Sequence, residues 1–168
     1  MTQVRRALAR LYDACGFAAG LFMVAIFVTI VIQIFGPIVG YIFRVGDELS
    51  GYFMAASFFL ALAHTFGRGE HIRVGLILER LTGRARRGLE IWSLAAGSLF
   101  AALFGFYSAR MCWVSYQLND VSTGLVPFKL WIPQLGMAIG GTVFAIAMIE
   151  QLLVALAGGA IVESKTRE

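Results

Sequence analysis

Charge is what this sequence has least of. Only 14% of its 168 residues are Asp, Glu, Lys or Arg, where a soluble domain carries about a quarter. The shortage is uneven: residues 14–43, 49–67, 91–109 and 130–149 hold no charged side chain at all. A helix crossing the hydrocarbon core needs roughly 20 mostly apolar residues, so the four windows predict four membrane spans. They also argue against a soluble bundle, because they are apolar nearly all round and lack the polar face a surface helix keeps.

Chemically reactive side chains are scarce as well. The two cysteines, Cys15 and Cys112, form no C-x-x-C and no cluster with histidine. They are expected to pack as small hydrophobes rather than to form a disulfide or hold a metal. His64, near one end of the second window, has no helical histidine partner for haem or metal. Ser57, Ser93, Ser98 and Ser108 have no histidine or lysine at matching depth, and neither a phosphate-binding glycine loop nor H-E-x-x-H occurs. An ionisable group in mid-bilayer would point to function, but almost none is present. Gln33 is expected to hydrogen-bond a neighbouring helix, and Glu150 to snorkel or to pair with an arginine. No catalytic residue, metal or cofactor is therefore expected, and the chain does not read as an enzyme.

The charges that are present read as topology rather than as a nucleic-acid surface. Arg5, Arg6 and Arg10 precede the first window; Arg68, Arg73, Arg80, Arg84, Arg86 and Arg87 lie between the second and third; Lys165 and Arg167 follow the fourth. The first connection has only Arg44, and the third has Arg110 and Lys129. By the positive-inside rule, both tails and the middle connection are cytoplasmic. The first apolar run is too long for the core of a cleaved signal peptide, so the first span is expected to be retained.

The expected fold is an all-α integral membrane protein, a single membrane domain with spans over about 12–36, 48–66, 89–111 and 131–156. Gly36-Pro37 should interrupt the first helix, because proline lacks an N–H and clashes with the preceding turn. The apolar segment after it reads as a kinked extension or a short helix at the outer surface. Asp47 is the expected N-cap of the second span, with Glu48 in the first turn, where the helix dipole favours an anion. An amphipathic helix over about 70–82, with Val74, Ile77, Leu78 and Leu81 on one face, is expected to lie on the lipid headgroups. Trp113, Tyr116 and Trp131 suit an interfacial aromatic belt, and Pro133 a first helical turn. Gly97, Ala101, Gly105 and Ala109 recur every four residues, as do Gly136 and Gly140, and Gly16 and Gly20. Such stripes let helix backbones approach closely, either within the chain or against a partner subunit.

Three segments carry a resemblance: 46–49 (Gly-Asp-Glu-Leu), 66–74 (Phe-Gly-Arg-Gly-Glu-His-Ile-Arg-Val), and 120–124 (Asp-Val-Ser-Thr-Gly) with 130–135 (Leu-Trp-Ile-Pro-Gln-Leu). In order, spacing and layout the chain resembles the small membrane subunit, of the DctQ type, of tripartite ATP-independent periplasmic (TRAP) transporters. Gly75 and Gly46 depart from the usual pattern. The resemblance implies a non-catalytic permease subunit in a bacterial inner membrane. It implies a large membrane subunit that couples uptake to an ion gradient, usually sodium, and a periplasmic binding protein that delivers an organic acid. It implies that the small subunit scaffolds the large one. On that reading Glu48, Arg68, His71, Arg73, Gly97, Ala101 and Gly105 would face the large subunit or its lipid. Asp120, Ser122 and Lys129 would meet the binding protein. The competing readings are a four-helix membrane oxidoreductase, which would need paired histidines or an outer-loop Cys pair, and a self-sufficient homo-oligomeric channel or carrier, which would need a polar stripe.

Overall fold

A computed structural model describes residues 2–67, 83–124 and 126–157. Four helices account for most of them: α1 (Thr2–Phe35), α2 (Gly46–Gly67), α3 (Gly83–Gln117) and α4 (Trp131–Leu156). All four are long and apolar enough to cross a membrane. The expected amphipathic helix over about 70–82, with Arg68, His71 and Arg73, lies outside the described residues.

Two of the helices run well past their apolar windows. At 1.5 Å per residue, the 34 residues of α1 and the 35 of α3 each extend about 50 Å, against about 30 Å of hydrocarbon. α1 already includes Arg6 and Arg10, and α3 includes Arg86 and Arg87. These charged ends are helical because nothing in them breaks a helix; the apolar window marks solvent, not helicity. α1 stops at Phe35, and Gly36–Val39 follow as a 3-10 turn. Asp47 is not the N-cap, because α2 already begins at Gly46. Its carboxylate instead accepts a 2.8 Å hydrogen bond from Gln33 Nε2, joining the end of α1 to the start of α2.

The packing runs α1–α2–α4–α3. α1 is antiparallel to α2: Ser57 Oγ donates to Ala19 O at 3.0 Å, and Phe22 meets Phe53. α2 and α4 are parallel, with Ala56 against Gly136 and Leu60 against Gly140. α4 and α3 are antiparallel, with Gly141 against Gly105 and Cys112 Sγ 3.5 Å from Trp131 O. One end of the bundle therefore holds the first residues of α1, the end of α2, the start of α3 and the end of α4. The other holds the two short connections, 36–45 and 118–130.

Lipid tails are as apolar as leucine, so helices in a bilayer associate through close packing rather than expulsion of water. The buried residues suit that. Ala19, Ala63, Ala147, Ala155 and Cys15 form much of the core cluster, with Tyr12, Leu60, Phe66, Leu94 and Val143. α4 is central and the most enclosed. Its small face turns both ways, toward α2 through Gly136 and Gly140, and toward α3 through Gly141. The large apolar side chains point outward instead, among them Phe17 and Phe27 on α1 and Trp92 and Phe100 on α3.

Candidate functional site

The end that carries the short connections is built around a loop that folds back on itself. α3 closes in a Schellman arrangement, with Asp120 N–H on Ser115 O (3.1 Å) and Asn119 N–H on Tyr116 O (3.4 Å). Asn119 takes the left-handed conformation, φ 51°, which asparagine tolerates better than most residues. The chain then forms a narrow loop. Ser122 N–H donates to Phe128 O (2.8 Å), Leu130 N–H donates to Asp120 O (3.0 Å), and Val121 bridges Lys129 antiparallel. Inside it, Gly124 N–H donates to Ser122 Oγ at 3.1 Å, a turn type that serine favours.

Glu48 fastens this loop to α2. Its Oε1 accepts from Ser122 Oγ and, at 3.0 Å, from Tyr52 Oη. Gly124 passes directly over the carboxylate, where a Cβ would collide with it. Phe128 seats edge-on against the Tyr52 ring, 5.4 Å between centroids. Glu48 also lies in the first turn of α2, where the helix dipole favours a negative charge. The result is a latch: one carboxylate, two hydroxyls and a glycine hold residues 120–130 across the entrance of α2. Beneath it lies an apolar cavity of about 230 Å³ between α1, α2 and α4, lined by Phe22, Tyr52, Phe53, Phe128 and Pro133 among others.

The opposite end has a second polar group. His64 Nδ1 lies 2.8 Å from Tyr12 O and 3.7 Å from Asp13 Oδ1. A carbonyl only accepts, so Nδ1 carries the proton in this pairing. The imidazole lies flat on Gly16, where a Cβ would approach the ring to 2.6 Å. Tyr12 Oη donates to Glu150 Oε2 at 2.9 Å, and Arg87 Nη2 reaches Ala155 O at 3.3 Å. Donors and acceptors here tie helix ends to one another.

The sequence matches the family described as tripartite ATP-independent periplasmic transporters, DctQ component, over residues 26–158. That is well over half of the chain. The chain belongs to this family. No curated protein matches it. The family match takes in α2, α3, α4 and the latch, and omits Tyr12 and Asp13.

The structure joins two of the three segments that carried the resemblance. Glu48 of the first and Ser122 and Gly124 of the third are in direct contact, 74 residues apart at Glu48 and Ser122. Several of the expected site positions have partners within the chain. The carboxylate of Glu48 is engaged within the chain by Ser122 and Tyr52. Ser122 is buried, 6% exposed, and holds the loop. Gly97, Ala101 and Gly105 are covered by α4: Gly105 faces the backbone of Gly141 and Thr142, Gly97 faces Met148, and Ala101 is buried. Lys129 is exposed and Asp120 half-buried on the loop. Glu48, Ser122 and Gly124 stood out separately in the sequence, but the latch and Tyr52 did not. Only the Ser-Thr-Gly turn hinted at a tight loop needing an anchor.

Proposed function

We propose that this chain is the small, non-catalytic permease subunit of a TRAP-type secondary transporter. It scaffolds a large membrane subunit that takes up an organic acid with an ion, sodium in the usual case, after delivery by a periplasmic binding protein. The observation that carries this reading is the family match across residues 26–158. Three features support it. Four apolar helices form one packed unit. Gly16, Gly105, Gly136, Gly140 and Gly141 make close contacts inside that unit. The latched loop offers a surface at one end, with Asp120 and Lys129 as its ionic side chains.

On this reading the termini and the arginine-rich connection are cytoplasmic, and the latched loop faces the periplasm. Arg68, His71 and Arg73 then face the large subunit or its bound lipid, and Asp120 and Lys129 meet the binding protein. The broad apolar sides of α1 and α3 are free for lipid or the large subunit. Co-expression with the large membrane subunit of such a transporter tests the proposal. A tag on this chain should co-purify the large protein in mild detergent, and uptake of a binding-protein-delivered acid should vanish without this chain. Full uptake by the large protein alone would refute the scaffold role.

A further inference from the structure

The first short connection has a composition that water would not favour. After α1 the chain makes the 3-10 turn Gly36–Val39 and then an irregular stretch to α2. Four apolar side chains project from it: Ile38 is 79% exposed, Val39 83%, Tyr41 59% and Ile42 66%. They are not scattered singly, as surface apolar residues normally are. They form one tip, continuous with the exposed Ile34 and Phe35 at the end of α1.

The backbone of the tip closes on itself over residues 36–41. Tyr41 N–H donates to Gly36 O at 2.9 Å and Gly40 N–H to Pro37 O at 3.2 Å, while Pro37 has no N–H to satisfy. Two glycines make this possible. Gly36 is buried with Tyr41 O against it, where a Cβ would come within 2.5 Å, and Gly40 sits at φ +79°. Backbone entering hydrocarbon must satisfy its polar groups internally; a loop in water has no such requirement. Tyr41 stacks beside Phe43, 6.3 Å between centroids, and tyrosine suits the headgroup boundary. Between Gln33 and Asp47 the single charged side chain is Arg44. It is exposed, and its charge complements lipid phosphate.

We propose that residues 36–43 form an apolar wedge that inserts into the membrane leaflet at this end of the bundle, with Arg44 on the phosphates above it. The partner is the lipid surface itself. The inference rests on the membrane reading of the fold and is independent of the transporter role. The wedge extends the chain's grip on the bilayer sideways from the end of α1, and Gln33 and Asp47 fix its base to α2.

The test uses the full chain with Cys15→Ala and Cys112→Ala, reconstituted in phosphatidylethanolamine–phosphatidylglycerol vesicles. A nitroxide is placed at Val39→Cys, or at Ile42→Cys should the first variant not fold. Thr123→Cys, on the exposed part of the latched loop, is the aqueous reference. The wedge predicts a label that collides readily with oxygen and is shielded several-fold from a water-soluble nickel chelate relative to position 123. A label as open to the chelate as the reference overturns it. So does a label shielded only when the co-expressed large subunit is present, since that outcome makes the tip a protein-docking surface. Loss of co-purification with the large subunit would refute the subunit reading and leave this measurement unaffected.

Discussion

Glu48 illustrates how much can depend on one side chain at a helix entrance. The first-turn position alone would account for a carboxylate, through the dipole of α2. Yet its hydrogen bonds run to Tyr52, one turn on, and to Ser122, on a loop from the far side of the bundle. Hydrogen bonds to a charged group contribute about 1.5–3 kcal/mol each, and a partly buried hydroxyl left without its acceptor adds to the loss. Glu48→Ala should therefore lower stability by about 2 kcal/mol, and Ser122→Ala by less, because Tyr52 still holds the carboxylate. Thermal unfolding in detergent measures both. Amide exchange should report the difference locally, with residues 120–130 losing protection in Glu48→Ala while the centre of α4 keeps it. Equal loss across all four helices would mean that the carboxylate supports the bundle rather than the loop. The residues of the latch were visible in the sequence, but the latch was not. Its partners are separated by 74 positions, and no periodicity links a first-turn glutamate to a serine in a loop. Gln33 was legible in part: a lone amide near the end of an apolar helix needs a partner, and the structure supplies Asp47.

At the scale of the helices, the charge-free windows were sufficient to count four of them and place them along the chain. The expected bounds match α2 and α4 to within two residues but stop short of the start of α1 and of both ends of α3. Hydropathy reports where a helix meets lipid, so it was silent on the charged turns that α1 and α3 add. The end of α3 is fixed by a left-handed Asn119 and two C-terminal hydrogen bonds, a signal that an asparagine next to an aspartate carries only weakly. The small-residue stripes were legible as close approaches, but the sequence did not say against what. The structure separates them. A Cβ on Gly140 would stand 2.6 Å from Phe59 C and 2.8 Å from Leu60 N, backbone atoms that cannot rotate away. Gly140→Ala should force α2 and α4 apart at a cost of about 1–3 kcal/mol. Gly20 has nothing within 4 Å, so Gly20→Ala should be neutral or stabilise by up to about 1 kcal/mol through helix propensity. Gly105→Ala should fall between, since its nearest neighbours on α4 lie at 3.2–3.4 Å. Unfolding midpoints of the three variants would rank Gly140 lowest. Equal midpoints would show that the helix pairs slide freely enough to absorb a methyl group.

For the whole molecule, helix directions and charge placement combine into a claim about sidedness. α1 and α2 are antiparallel, α3 and α4 are antiparallel, and α2 runs parallel to α4, so the described chain starts and stops at one end. That end carries Arg6, Arg10, Arg86 and Arg87; the other has Arg44 and Lys129 on its connections and Arg110 near the end of α3. An excess of arginine holds a segment on the cytoplasmic side, and no helix of the bundle can invert without breaking its contacts: Ser57 with Ala19 for α1, Gly136 and Gly140 with α2 for α4, and Gly105 with Gly141 for α3. Sidedness is thus a property of the bundle, read at any one exposed point. In intact cells with Cys15 and Cys112 replaced by alanine, Thr123→Cys should react with a membrane-impermeant maleimide once the outer membrane is made permeable. Ala9→Cys, exposed on the first turns of α1, should react only after lysis. Both positions reacting before lysis would point to a mixed population. The reverse pattern would place the latched loop in the cytoplasm, out of reach of any periplasmic protein. The docking role of Asp120 and Lys129 would then fall, while the packing of the four helices would stand.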